Sequence, residues 1–232
     1  MISLITGVGS TGQVGEAVAA ALAKRGDTVL LVSRVESEVA ARADDLRAQG
    51  FAASAYACDL SDPKAVDLLA RRVIADHGPR LDAVVNLAGG FGVSGRIAES
   101  DPAAFDQQLR INLQTAYLTT RAFFPALREA RGAIVFFASE SVLDGAPTKG
   151  VAAYVAAKAA VVALMRSVAD EGREHGVRAN ALAPAAIRTA TNEASMGKDT
   201  RYVEREDVAS AVVFLCSPSA AAITSQVIRL RR

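Results

Sequence analysis

The sequence of 232 residues is poor in cysteine and histidine, and these shortages argue against several kinds of site. Its two cysteines, Cys58 and Cys216, form no C-x-x-C pair that could hold a metal or exchange disulfides. The two histidines, His77 and His175, stand far apart and without flanking ligand patterns. We therefore expect no metal site and no histidine-based hydrolase triad. Scarce cysteine also fits a protein of the reducing cytoplasm.

The chain also has almost no net charge. Twenty-six basic residues oppose 25 acidic ones, which leaves a formal net charge of +1. Such a balance gives no long-range attraction to nucleic acid or to an anionic membrane. We find no basic region followed by an apolar run and a cleavage site, and no apolar run long enough to cross a bilayer. We expect a cytoplasmic protein whose partner is a small molecule.

What the chain does have is a regular alternation of short apolar runs with longer helical patterns. With 51% hydrophobic residues it can enclose one large core. The runs at 2–6, 28–32, 81–87, 133–138 and 177–182 predict buried parallel strands, with a helix over 207–216 and a last strand near 226–230. The sequence thus predicts an α/β protein with a doubly wound parallel sheet, as a single domain over residues 1–232. A ligand is expected across the carboxyl ends of the strands.

A glycine-rich turn stands between the first strand and the first helix. Glycines there let the backbone approach a pyrophosphate, which the free N–H groups at the helix start attract. A merely tight loop is the alternative, but the β-α-β context favours a dinucleotide site. The loop residues expected at the cofactor are Gly7, Gly9, Thr11, Gly12 and Val14.

The end of the second strand indicates which dinucleotide is used. An acidic residue there would accept hydrogen bonds from the adenosine ribose of NAD, and the sequence has Ser33 and Arg34 instead. A guanidinium can bind a 2′-phosphate, so these residues favour NADP, with NAD possible as well. The alternative is an arginine that is simply exposed in a loop.

Tyr154 and Lys158 are four residues apart in a helical pattern, so they share one helix face. A nearby cation favours the phenolate and would lower the pKa of the phenol towards working pH. An exposed pair on a solvated face is the alternative. Asn112 lies at helical spacing from apolar neighbours, which predicts a buried amide in need of partners.

Taken together, these residues resemble the short-chain dehydrogenase/reductase family. The glycine loop, Asp59-Leu60, Asn86-Leu87-Ala88-Gly89, Asn112, a serine after strand five, Tyr154-x-x-x-Lys158 and the segment Asn180 to Pro184 occur in the family's order over nearly the whole chain. The resemblance implies a Rossmann fold and an oxidoreductase that moves a hydride between NAD(P) and a carbonyl or secondary alcohol.

The resemblance also implies residue roles. Tyr154 would be the general acid/base, Lys158 would lower its pKa and hold the nicotinamide ribose, and Asn112 would hold a water of the proton relay or act only structurally. Ser139 or Ser141 would bond the substrate oxygen. The number of residues between strand five and the serine favours Ser139. The number of residues between the serine and Tyr154 favours Ser141, since its spacing is the more common one in the family. The remaining cofactor contacts would come from Asp59, Leu60, Asn86, Ala88, Gly89, Pro184, Ile187 and Thr189.

The chain departs from the family pattern in places. The glycine loop has two extra residues, and Pro184-Ala185 stands where relatives carry Pro-Gly. These changes leave open a rival function, a non-catalytic module that binds NADP(H) and senses its redox state. The resemblance further implies a homodimer or homotetramer that packs through helices over 104–128 and 152–175.

Overall fold

The computed structural model describes the whole chain, Met1–Arg232, and contains one sheet of seven parallel strands. Their spatial order is β3-β2-β1-β4-β5-β6-β7. The strands are β1 Ile2–Thr6, β2 Thr28–Ser33, β3 Ala53–Ala57, β4 Ala83–Asn86, β5 Ala133–Phe137, β6 Arg178–Pro184 and β7 Val227–Leu230. The predicted doubly wound parallel sheet is confirmed.

The helices are α1 Val14–Lys24, α2 Glu36–Ala48, α3 Pro63–His77, α4 Pro102–Gln108, α5 Thr115–Ala130, α6 Ala152–Gly172, α7 Ala190–Met196 and α8 Arg205–Leu215. Successive strand side chains point to opposite faces of a sheet, and the apolar strands therefore build two cores. Leu4 belongs to the core beneath α3, α5 and α6, whereas its neighbour Ile5 belongs to the core beneath α1, α2 and α8.

Two features differ from the sequence prediction. Strand β3 was not predicted, because Ala53-Ser-Ala-Tyr-Ala is too weakly apolar to stand out. The helix expected over 104–128 is present as one helical run from Pro102 to Ala130, but a π-helical turn at Leu109–Gln114 interrupts its α-helical pattern between α4 and α5. π-Helical turns often mark functional sites because they break the regular hydrogen-bond ladder. The other predicted strand and helix ends agree with the structure to within three residues.

Helix α6 corrects the expectation that no segment is long and apolar enough to cross a bilayer. The stretch Ala152–His175 meets that length with a mean hydropathy of 1.5. In the fold, however, Val161, Met165 and Ala169 of α6 are buried in the core beside β5 and β6. Length and composition alone are therefore weak evidence of a membrane span, since core helices share them.

The crevice of a doubly wound sheet opens where the strand order reverses. Here β1 is flanked by β2 on one side and by β4 on the other. The ends of β1 and β4 meet at this point, where the Leu87 and Ala88 amides each donate to the Thr6 hydroxyl at 3.0 Å. The site lies along this edge of the sheet.

Candidate active site

The glycine loop after β1 is tightly packed. Gly7 has φ of +77°, and a Cβ there would lie 3.0 Å from the backbone nitrogen of Ala88. A Cβ on Gly15, in the first turn of α1, would lie 2.5 Å from the carbonyl oxygen of Gly7. Only glycine fits these two positions, because a Cβ at Gly7 would meet the segment after β4 and a Cβ at Gly15 would meet the backbone of the loop itself. Val14 is the first residue of α1, as predicted.

The two extra residues of the loop are fixed by side chains of the first two helices. The Gly12 amide donates to the Glu16 carboxylate at 2.7 Å. Arg42 of α2 donates to the Thr11 hydroxyl and forms an ion pair with Glu16 at 3.5 Å. The longer loop is thus ordered by local ion pairs rather than by glycine spacing alone.

A cleft of about 490 Å³ runs from the end of β2 past the end of β4. It brings together seven of the predicted cofactor residues: Gly7, Ser33, Arg34, Asp59, Leu60, Ala88 and Gly89. It also contains residues that the sequence did not single out, Glu38, Cys58 and Arg110 among them. A cleft of this size can hold the adenosine half of a dinucleotide.

Asp59 is exposed at the rim of this cleft. Its carboxylate accepts hydrogen bonds from the Ser61 backbone amide at 2.9 Å and from the Ser61 hydroxyl at 2.7 Å. These bonds favour the charged form and lower the pKa of Asp59 below its ordinary value, and the charges of Arg110 and Arg34 act in the same direction. Two arginines therefore face this end of the cleft, where the sequence had indicated only one.

Tyr154 stands in the first turn of α6, beside the serine turn after β5. Burial raises the pKa of Tyr154 above its ordinary value, whereas a hydrogen bond with the Ser139 side chain acts to lower it. Ser141 does not take part in this interaction and instead donates to the Ser139 hydroxyl at 2.9 Å. The structure thus brings Ser139, rather than Ser141, to the phenol.

Lys158 lies one turn further along α6, with 6% of its surface exposed. Its Nζ is 5.8 Å from the centre of the Tyr154 ring and donates to the carbonyl oxygen of Phe137 at 2.8 Å. Burial lowers the pKa of Lys158 from 10.5 to about 8. Burial of the phenol is the larger of the two effects on the pKa of Tyr154, and the predicted lowering of that pKa by Lys158 stays a prediction.

Asn112 lies in the π-helical turn and is 1% exposed. Its Oδ1 accepts from the Gly90 amide at 3.1 Å, and its Nδ2 donates to the Gly90 carbonyl oxygen at 3.0 Å and to Gln108 Oε1 at 3.1 Å. The predicted burial is correct. The amide fixes the segment after β4, so its side-chain contacts are those of the structural alternative.

Gly89 connects the two ends of the site. It lines the cleft, and a Cβ built on it would lie 2.5 Å from Asn112 Oδ1 and 3.4 Å from Lys158 Nζ. Asn86, at the end of β4, donates to the Thr120 hydroxyl at 3.0 Å, while its buried Oδ1 has no partner. The backbone at Gly89 has no room for a Cβ, and the buried Oδ1 of Asn86 lacks a hydrogen-bond donor. Both features fit a bound pyridine dinucleotide.

The segment after β6 lies beside the glycine loop, where the Gln13 side chain donates to the Thr191 hydroxyl at 3.2 Å. Thr189 caps α7 by accepting from the Asn192 amide at 3.1 Å, and Ile187 accepts from the Asn192 side chain at 2.8 Å. Pro184 is the last residue of β6 and is buried. These predicted residues lie outside the adenosine cleft, as residues at the nicotinamide end would.

Sequence reasoning missed two neighbours of these groups. Phe91 packs its ring edge-on against Tyr154, with ring centres 5.1 Å apart, and is 66% exposed. Buried Gln108 supports Asn112. Phe91 lies in the loop after β4 and Gln108 is the last residue of α4. Only the glycine-rich run Gly89-Gly90-Phe91-Gly92 could have indicated a close approach of backbone there.

Comparison with known proteins identifies the family. A family model described as short chain dehydrogenase matches residues 2–199. The chain is a member of the short-chain dehydrogenase/reductase family. As a short-chain dehydrogenase it is an oxidoreductase that acts on alcohol or carbonyl groups with a nicotinamide cofactor.

Relatives of this short-chain dehydrogenase match it over almost its full length. It is 32% identical to short-chain dehydrogenase RED2 of Pyricularia oryzae, over 94% of this chain and 91% of the relative. It is 33% identical to 2-(S)-hydroxypropyl-CoM dehydrogenase 3 of Xanthobacter autotrophicus, over 95% of this chain and 91% of the relative. Among solved structures, it is similar to a variant of actinorhodin polyketide ketoreductase with NADPH, with a TM-score of 0.89 and 26% identity over 99% and 95% of the two chains.

These matches do not favour the rival function of a non-catalytic redox sensor, because the relatives carry dehydrogenase and reductase names. No group of three or more metal-ligating side chains is present in the chain.

Proposed function

We propose that this short-chain dehydrogenase transfers a hydride between an NADP nicotinamide and a carbonyl or secondary alcohol, with Tyr154 as the group that gives or takes the proton. The observation that carries the proposal is the interaction of the half-buried Tyr154 phenol with Ser139, beside the ammonium of Lys158. A phenol, a hydroxyl and an amine at one point form the donor set that a reacting oxygen needs.

The dinucleotide would be held along the crevice. Gly7, Gly12 and the start of α1 would face the pyrophosphate, and Ala88, Gly89 and Asn86 would lie beneath the adenosine ribose. Ile187 and Thr189 would contact the carboxamide group of the nicotinamide. The bound cofactor supplies or accepts the hydride, and every other part of the chemistry falls to side chains of the protein.

NADP preference is supported by the end of β2. Arg34 is exposed at the cleft and forms no ion pair within the chain, so its guanidinium is available to a 2′-phosphate. Arg110 adds a second positive charge to the same cleft. The solved ketoreductase neighbour contains NADPH, which agrees with this choice.

The proton passes at the Tyr154 oxygen. Ser139 would hold the substrate oxygen beside the phenol, and Lys158 would hold the nicotinamide ribose hydroxyls and stabilise the phenolate. Asn112 would serve this group by fixing Gly89 and Gly90, through the bonds to Gly90. It therefore positions the backbone near Lys158 rather than touching the substrate.

The substrate would carry an apolar group next to the reacting carbon. Phe91, Val93 and Ile97 are 66%, 70% and 76% exposed in the segment after β4, which is unusual for three large apolar side chains so close in sequence. Ser94 and Gly95 of this segment donate backbone hydrogen bonds to Gly150 at 2.9 and 3.1 Å, just before Tyr154. These hydrogen bonds hold the apolar segment beside Tyr154, the proposed proton donor.

The enzyme is further proposed to act in the cytoplasm as a homodimer or homotetramer. Both cysteines are unpaired, as is usual in a reducing compartment. An apolar groove crosses the π-helical turn, α5 and α6, on the helices predicted to pair with a second copy, and it is lined by Leu109, Leu113, Tyr117 and Leu164. Light scattering in solution would reveal a monomer if this part is wrong.

Replacing Tyr154 with phenylalanine tests the function. Tyr154→Phe should lower kcat by about 10² to 10⁴, the usual contribution of a general acid or base. The dissociation constant of NADP should stay within a few-fold of the original value. Tyr117→Phe, an exposed tyrosine of α5, is the matched control. Retained turnover in Tyr154→Phe would contradict the mechanism, and NADP binding without turnover of any ketone, aldehyde or thioester-linked 3-oxo substrate by the original protein would favour the sensor function.

A further inference from the structure

The first turn of α2 brings the side chain of Glu38 close to the end of β2, where the strand itself carries no acidic residue. Glu38 lines the cleft together with Ser33 and Arg34. The point that a Cβ of Gly9 would take lies 2.6 Å from Glu38 Oε2 and 2.8 Å from the Ser33 hydroxyl. The carboxylate, the serine at the end of β2 and the glycine loop therefore meet around one small space.

The Glu38 carboxylate is not neutralised by the protein. Its one hydrogen bond comes from the Ser10 hydroxyl at 3.4 Å, which is long for a bond to a carboxylate. Other acids nearby do have arginine partners: Arg42 pairs with Glu16 and with Asp45. An unpaired carboxylate in a cleft is free to act on a ligand.

We propose that Glu38 is the residue that limits how strongly this enzyme discriminates between NADP and NAD. The inference rests on the proposed function in one respect, the binding of a pyridine dinucleotide in this cleft. A carboxylate accepts hydrogen bonds from the two hydroxyls of an unmodified adenosine ribose. The same carboxylate repels a 2′-phosphate, which Arg34 attracts.

Arg34 and Glu38 thus act in opposite directions on the same ribose position. Glu38 supplies, from helix α2, the acid that is absent from the end of β2, and its one hydrogen-bond donor, Ser10, belongs to the longer glycine loop. With both charges in place, neither dinucleotide is excluded, and the preference for NADP is smaller than Arg34 alone would give.

Equilibrium binding to the full chain tests the proposal. The dissociation constants of NADP⁺ and NAD⁺ are measured by titration calorimetry for the original protein and for Glu38→Gln, which keeps the shape and removes the charge. Glu38→Gln should tighten NADP⁺, weaken NAD⁺ and raise the ratio of the two affinities about tenfold, as expected for one charge near a partly solvated phosphate. The gain for NADP⁺ should shrink at high salt.

Glu36→Gln is the matched control, because Glu36 stands in the same turn, is exposed and does not line the cleft. Its affinity ratio should stay unchanged. Arg34→Gln should move the ratio in the opposite direction to Glu38→Gln. If the original protein binds both dinucleotides and Glu38→Gln leaves their ratio unchanged, the role of Glu38 is disproved while the proposed function stands. If the original protein binds neither, both fail.

Discussion

Lys158 Nζ donates a hydrogen bond of 2.8 Å to the carbonyl oxygen of Phe137, so the ammonium of helix α6 is held against the carboxyl end of β5. The lysine is buried, and burial lowers its pKa from 10.5 to about 8. A buried charge destabilises the folded state unless hydrogen bonds and opposite charges compensate for its lost hydration. The placement therefore serves the site at some expense of stability.

Replacing Lys158 with methionine should raise stability and weaken cofactor binding. At pH 7 the lysine is protonated in both the folded and the unfolded state, so the desolvation penalty is fully present. We expect Lys158→Met to increase the free energy of unfolding by about 1–3 kcal/mol. Denaturant titration without cofactor measures this gain, and a loss of stability at pH 7 would contradict it.

The same gain should depend on pH. Because the folded pKa is the lower one, the unfolded chain binds more protons between pH 8 and 10.5, and the penalty on the original protein is relieved as pH rises through this window. The stability difference between variant and original should therefore shrink from pH 7 to pH 10. Using the difference cancels other titrating groups, and a constant difference would show that Lys158 keeps its ordinary pKa.

The two serines after β5 should differ sharply in effect. The hydrogen bond with Ser139 lowers the pKa of Tyr154, so its loss in Ser139→Ala should raise that pKa further. In the direction of alcohol oxidation, where the phenolate accepts the proton, the rising limb of kcat/KM should move to higher pH and kcat should fall by about 10². Ser141→Ala should leave the limb in place, and the reverse ranking would make Ser141 the substrate-binding serine.

An added methyl group at Gly89 should disturb the site without contact with the substrate. A Cβ there would lie 2.5 Å from Asn112 Oδ1, which is too close, so the amide must shift and its bonds to Gly90 must weaken. We expect Gly89→Ala to cost about 1–3 kcal/mol of stability and to lower cofactor affinity. Gly90→Ala is the control, because its Cβ would meet only Ile111 at 3.4 Å. Equal thermal unfolding of the two variants would count against the packing argument.

Shortening Phe91 should affect substrates according to their polarity. Its ring is 66% exposed and packs edge-on against Tyr154, so it can cover an apolar substituent of a bound ketone. Phe91→Ala should raise KM about tenfold for aryl or long-chain ketones, because it removes the apolar surface that one face of the ring would bury against the substrate. The KM for small polar ketones should change little. Phe105→Ala, an exposed phenylalanine of α4, provides the control. A uniform change across substrates would point instead to altered positioning of Tyr154.

Most of the fold could be predicted because its signals are local. Strands β1, β2, β4, β5 and β6 are nearly all apolar, and such runs separated by helical patterns predict a parallel sheet. Strand β3 escaped because Ala53, Ser54 and Ala55 have little side chain to give a pattern. The π-helical turn at Leu109–Gln114 could not be predicted either, since it depends on the partners that Asn112 finds in another segment.

The sequence by itself determined the alternation of strands and helices and the placement of Tyr154 and Lys158 on one helix face, because helix periodicity and strand alternation are set over a few residues. Only the tertiary structure decided that Ser139 rather than Ser141 meets the phenol, that burial is the larger effect on the pKa of Tyr154, and that Glu38 and Phe91 reach the site. The reason is physical: desolvation and contacts across loops depend on segments far apart in the chain, and no local spacing encodes them.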